Sequence, residues 1–430
     1  MGSFSGTIHS TMAETCLTYL NSQRGQEPFG ESHPRSPRHT FSRIFFLVQA
    51  KRDHSYRAKL PASNLFNDYN NHISTKILLN AQTGYSYTID FEKPPLFSGL
   101  HCASLFGIVE IVTQLIGMEG CDINRRDCVD NTPLVWAARC GHERVAEILL
   151  ERGDTGPGGQ TPLSWAACNG EEGMPNILLE RGETNPDILD NKGRTPLRCA
   201  VFNGHEGVAK ILLERNEVSP DGPYNRGQIQ LSGAAWNGHE GVVKMLLERD
   251  EVNPDQANID GRTPLLSAAW NGHTEVVKML LARDEVSPDN PNNVGRTPLL
   301  SAAFSGHDGV VKMPLERDEV NPDRPDCYGQ GPLKYGAANG RVEVVRVLSD
   351  WNEVNPDKPN NDDRTPPLQC AALNGREGVV RILLERDKVN PDKPDNHSQT
   401  PLSYAENGYL GVVKILLGRD VDPCKPDGFG

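Results

Sequence analysis

The stretch AAWNGHEGVVKMLLERDEVNPD, residues 234–255, returns as AAWNGHTEVVKMLLARDEVSPD, residues 268–289, 34 positions later. A reaction centre needs different groups converging on one point. A repeat sets the same group at many points along a line, so its period decides the fold before anything else. Working outward from this pair, the Gly that closes each Ala-rich start recurs at 107, 141, 170, 204, 238, 272, 306, 340, 375 and 408. The common step is 34; it shortens to 29 between 141 and 170, where GDTGPGG replaces a longer connection. Ten blocks therefore fill residues 98–430.

One block shows the local logic. In GRTPLLSAAW, Thr263 is a natural helix N-cap and Pro264 takes the first helical position, where a missing N–H has no consequence. Leu265, Ala268 and Ala269 give a short helix with a small-residue face, and Asn271-Gly272 breaks it. HTEVVKMLLARD then places Val276, Val277, Leu280 and Leu281 on one stripe of a second helix, predicted to end at Asp284, with Gly153 and Gly182 ending their counterparts. EVSPDNPNNVGR is rich in Pro, Asn and Asp and reads as a projecting hairpin loop with tight turns.

The pattern TPL..AA..GH..VV...LL resembles the ankyrin repeat family. The resemblance implies an all-α repeat solenoid of about ten stacked helix–turn–helix–hairpin units. No unit buries its own stripe, but stacking buries all of them. At about 10 Å between packed helical layers, ten units would span roughly 100 Å. A narrower resemblance is carried by IHSTMAETCLTYLNSQ (8–23), NNHISTKILL (70–79) and FSGLHCASLFG (97–107), which look like fungal ankyrin proteins of the NOD-like receptor type. There such segments join a NACHT nucleotide-binding domain to the repeats. This chain has no Gly-x-x-x-x-Gly-Lys-Ser/Thr, so the phosphate-cradling loop of such a switch is missing.

The start of the chain divides in two. Residues 1–42 read as a mostly disordered tail with a short helix over 8–22. Residues 43–97 read as a helical linker that caps the exposed stripe of the first repeat.

Composition narrows the function classes. Net charge is −13, which argues against nucleic acid or an anionic membrane as partner. Residues 1–60 run the other way, with eight Lys/Arg against four Asp/Glu. They form a solvated tail or, in a competing reading, a basic binding arm. The ten cysteines are scattered with no Cys-x-x-Cys, which favours free thiols and no zinc site. No apolar run approaches 18 residues and no signal-peptide core is legible, so a cytoplasmic chain is expected. No hydrolase, protease or nucleotide motif appears, so neither an enzyme, a cofactor nor a small-molecule substrate is implied. An enzyme built on the first 97 residues remains a competing class without motif support.

The resemblance also implies a concave groove lined by first helices and hairpin tips. The residue after the Ala pair faces that groove, and in four successive blocks it is aromatic: Phe202, Trp236, Trp270 and Phe304. Asn203, Asn237, Asn271 and Ser305 follow them. Ahead of the Thr-Pro stand Arg194, Arg262, Arg296 and Arg364, with Gln at 228, 330 and 399. Aromatics and Arg are the side chains enriched at binding hot spots, and Arg takes carboxylates bidentately. The same aromatics could instead shield the stack and have spread by copying of one unit; both readings stand. Trp136 and Trp165 follow Pro133 and Pro162 by three residues and read as packing.

The Gly-His column (His142, His205, His239, His273, His307) suggests metal only superficially. Ligands of one zinc lie about 4 Å apart, whereas repeats stack about 10 Å apart. A structural role is expected.

Four weak points are visible. Pro314 interrupts a second helix, at about 3 kcal/mol or more, while Pro175 lies nearer a helix start. Ile229-Gln230 loses the Thr-Pro cap, worth about 1 kcal/mol. The last stripe, Val412, Val413 and Leu416, is expected to lie open. The function expected is a protein–protein interaction scaffold binding along 194–304. The alternative is the sensor part of a receptor system whose nucleotide switch lies on another chain.

Overall fold

The computed structural model describes residues 98–127, 130–152, 161–180, 185–220, 229–357, 365–406 and 408–419. The linker, the tail, the segments 8–23 and 70–79, and Gly153, Gly182, Gln228 and Arg364 lie outside them. Among the described residues there are twenty α-helices and no strand. Contacts divide the chain into two compact units that meet at Lys192 and Gly193.

The first unit holds α1 (Gly99–Leu105), α2 (Val109–Ile116), α3 (Pro133–Arg139), α4 (Glu143–Leu150), α5 (Pro162–Asn169) and α6 (Gly173–Glu180). The second begins with α7 (Pro196–Asn203), α8 (Glu206–Leu213), α9 (Gln230–Asn237), α10 (Glu240–Leu247), α11 (Pro264–Asn271), α12 (Thr274–Leu281), α13 (Pro298–Ser305) and α14 (Asp308–Leu315). It continues with α15 (Pro332–Asn339), α16 (Val342–Asp350), α17 (Pro367–Leu373), α18 (Glu377–Leu384), α19 (Pro401–Ala405) and α20 (Leu410–Leu417). Within each unit, first helices pack side by side in one layer and second helices in another. This is the stacked all-α repeat fold expected.

Local chemistry sets the ends. Thr263 Oγ1 accepts from the Leu266 amide at 3.2 Å and Pro264 sits at the first helical position. Thr195, Thr297 and Thr400 do the same in their helices. Gly238 closes α9 in the left-handed region at φ 73°, and a Cβ there would collide with the ring of His273 in the next repeat. Ile229 makes no capping bond, yet α9 forms. α12 ends at Leu281 with Ala282 as cap, two residues ahead of the predicted Asp284.

The stripes bury in two rows. Val276, Val277 and Leu280 have no exposure and Leu281 has 7%. At the last repeat, Val412 and Leu416 are fully buried while Leu417, the counterpart of Leu281, is 48% exposed. The expectation of a wholly open final stripe is therefore corrected. The preceding repeat covers one row, and only the row that would face a following repeat is open.

Pro314 also differs from expectation. It lies at the seventh of eight positions in α14, buried, and the helix runs through it. The change falls on the last turn. In α12 the Ala282 amide donates to Lys278 O at 3.0 Å, but in α14 the Glu316 amide turns back to Met313 O at 3.2 Å. Pro175 sits in the first turn of α6, where an N–H has no partner anyway.

Backbone acceptors stitch neighbouring repeats. His239 donates its Nε2–H to Phe202 O and His273 to Trp236 O, both at 3.0 Å. Arg341, Arg376 and Tyr409 take that place against the same glycine later in the chain, and Arg376 Nε donates to Ala338 O at 3.2 Å. In the first unit His142 donates to Leu105 O at 3.0 Å, and burial lowers its pKa. At the outer ends, Arg249 donates to Leu213 O at 2.8 Å and Arg283 to Leu247 O at 2.6 Å, and Arg317 reaches Leu281 O. Each guanidinium thus meets the C-terminal carbonyls of the preceding second helix, where the helix dipole favours a cation. No helix among the described residues is long and apolar enough to cross a membrane.

Candidate partner-binding face

All nine residues expected at the binding face fall in the second unit. Phe202, Trp236, Trp270 and Phe304 stand at the C-terminal ends of α7, α9, α11 and α13. Phe202 is 45% exposed and the other three are half-buried. Their position follows from the Ala pair before them. With Ala268 and Ala269 fully buried against neighbouring helices, the next residue round the helix is turned to the edge of the layer.

The hairpins place the arginines beside these rings. Asn258 accepts the amides of Asp260 and Arg262 on Oδ1, both at 2.9 Å, and Asn292 does the same for Val294 and Arg296, at 3.1 and 2.9 Å. These side-chain turns fix where the chain re-enters the first helix. Arg262 Cζ then lies 5.7 Å from the Trp236 ring centre, and Arg296 Cζ lies 5.8 Å from that of Trp270, each a cation over the ring of the preceding repeat. Arg194 is half-buried and already engaged. Asn237 and Asn271 use their amide N–H groups on helix carbonyls: Asn237 on Phe202 O and Gly233 O, Asn271 on Ser267 O. Their oxygens are what they can offer a partner.

Successive hairpin tips are also joined. Asn293 N donates to Asp260 O at 3.1 Å, and Cys327 N to Val294 O at 3.0 Å. The tips carry exposed apolar side chains: Ile259 at 58%, Val294 at 38% and Tyr328 at 56%.

Sequence reasoning missed two residues of this face. Trp270 and Phe304 stack at 5.3 Å, and Phe304 meets Tyr335 edge-on at 5.2 Å. Tyr335 donates to Asp326 Oδ2 at 2.7 Å, and the same carboxylate lies 3.7 Å from Arg296 Nε. Burial, then the bond to Asp326, raises the Tyr335 pKa. A signal existed. Asp127 and Trp136, Asp326 and Tyr335, and Asp395 and Tyr404 all stand nine apart, and each pair is hydrogen-bonded at 2.6–2.9 Å. Trp136, read as packing, is fully buried, and Trp165 stacks under Arg139 at 4.0 Å.

Other chemistry is thin. Among the described residues no group of three His, Cys, Asp or Glu is placed to hold a metal. Burial pushes Cys102 up to about 12 and Cys140 to about 11, so both stay thiols at neutral pH.

Comparison with known proteins gives matches to the family model described as "Ankyrin repeats (3 copies)" at residues 69–157, 100–189, 154–224, 231–326 and 333–427. Among solved structures, the human ASB11 ankyrin repeat domain is similar at 24% identity with a TM-score of 0.48, over 54% of this chain and all of that one.

Proposed function

From the premise that this chain belongs to the ankyrin repeat family, whose repeats mediate protein–protein interaction, we propose a non-catalytic scaffold that holds a protein partner along the concave first-helix face, residues 194–304. The observation that carries the reading is the half-exposed aromatic row with Arg262 and Arg296 laid over it. Partly desolvated aromatics and arginines beside exposed apolar tips have the composition of a hot-spot cluster. Asn237 and Asn271 add acceptors to it, and Phe202 and Phe304 bound it.

The test is a pull-down with the intact chain against a Trp236→Ala/Trp270→Ala variant. Loss of specific partners from the variant, with its helical content unchanged, is the expected result. Equal recovery of every partner by both proteins would remove the footprint. The alternative role, as recognition part for a nucleotide switch on another chain, rests on segments outside the described residues.

A further inference from the structure

Resting on that reading, we propose that Arg262 is the anchor for a carboxylate of the partner, and that the surface takes an acidic peptide segment with an apolar side chain beside the acid. The argument is a contrast between two arginines in the same register, 34 residues apart. Both lie over an aromatic ring of the preceding repeat. Arg296, however, is already enclosed. Its Cζ lies 5.2 Å from the Phe304 ring centre and 5.6 Å from that of Tyr335, and its Nε faces the fully buried Asp326 carboxylate at 3.7 Å.

The residues that enclose Arg296 have different counterparts one repeat earlier. Asn292 stands where Asp326 would, and Ser301 where Tyr335 would. Asn292 makes the same side-chain turn as Asp326 but brings no charge. Among the described residues no carboxylate pairs with Arg262. Its guanidinium lies over Trp236, so its N–H fork is available in the plane of the group. A carboxylate taken there is bound bidentately, with the ring excluding water from one side. Exposed Ile259, three residues before Arg262, and exposed Phe202, one repeat before Trp236, supply the apolar ground for the neighbouring side chain. In a chain of net charge −13 such an uncompensated cation is a specific landing point for a partner's acid.

The test begins with panning a displayed library of random, unphosphorylated dodecapeptides on the intact chain, with counter-selection on the Trp236→Ala/Trp270→Ala variant. Enriched peptides are then titrated against the wild-type chain, Asn292→Asp and Arg262→Gln. Asn292→Asp gives Arg262 the counter-ion that Arg296 has, in a turn that Asp already makes at 326 and 395. The expected peptides carry Asp or Glu next to an apolar residue and bind both variants at least tenfold more weakly. Peptides that need Trp236 and Trp270 yet bind both variants within threefold of wild type would overturn the anchor and leave the footprint standing. A selection yielding no peptide that depends on the two tryptophans would sink both.

Discussion

Two neighbouring repeats, 263–296 and 297–330, begin with almost the same residues and are held in different ways. The second helix of the first one, α12, keeps Leu280 in its stripe, with no exposure, and closes on a four-residue-spaced hydrogen bond. Its Arg283 reaches back to Leu247 O. The second helix of the other, α14, has Pro314 at the corresponding position, so the Val310 carbonyl has no amide to meet there. The repeat after it then has Trp351 where the stitching Arg would stand. The seam that follows α14 therefore lacks both devices that close the seams before it. The partner footprint, 194–304, lies on the regularly stitched side. Identity of sequence period does not mean identity of local stability, and a binding face gains rigidity from the seams beneath it.

The comparison is broken most strongly by exchanging the two residues. Leu280→Pro should cost about 3 kcal/mol or more through the backbone alone, and Pro314→Leu should stabilise by about 2–3 kcal/mol. Urea unfolding followed by helix content reads both. If neither substitution moves the midpoint, the last turn of α14 is not a weak point.

A second test asks how a buried imidazole behaves when its bond runs to a neighbouring carbonyl, here in the first unit. His101 accepts from the Ser98 amide on Nδ1 at 3.0 Å and donates from Nε2 to Asn131 O at 3.2 Å. Burial pushes its pKa down to about 4. As pH falls through 6.5 the unfolded chain takes up a proton that the folded one refuses until about pH 4. Stability is therefore full above pH 6.5 and lost between there and pH 4, by up to roughly 3 kcal/mol. The stability gap between wild type and His101→Gln should shrink over that range. A gap constant with pH would mean the ring is charged in the fold.

Smaller effects sharpen the stitching itself. Arg283→Ala should cost about 1–2 kcal/mol, because it removes a charged donor from a helix C-terminus. Trp351→Arg should gain about 1 kcal/mol or less by reaching the open end of α14. Melting temperatures moving in opposite directions are the expected outcome; both falling would show that Trp351 packs better than Arg stitches. Smallest of all, Ile229→Thr should add about 1 kcal/mol by restoring the side-chain cap of α9, measurable by the same unfolding curves.

Much of this was legible in the sequence, and the rest had a physical reason to stay hidden. Thr263-Pro264, the Ala pair and Gly272 fixed the first helix, since caps and left-handed glycines are chemical signals. Phe202, Trp236, Trp270 and Phe304 could be placed on one row because the period carried them there. Tyr335 was overlooked because it joins that row from one turn earlier in its helix. The bonds from Arg249, Arg283 and Arg317 were invisible because their acceptors are backbone carbonyls, which have no letter. Asp284 overshot the end of α12 because the residues from Ala282 to Asp284 are polar or small and carry no breaker. Arg262 and Arg296 looked alike in sequence. Their difference lies 30 residues further on, in whether the turn is made by Asn292 or by Asp326.

The most direct test of the account is native-state hydrogen exchange on the intact chain, comparing amides of 274–281 with those of 308–315. The stacking argument predicts that α14 opens at lower free energy than α12, and that Pro314→Leu raises its protection toward that of α12. Equal protection of the two helices in the wild-type chain would contradict it.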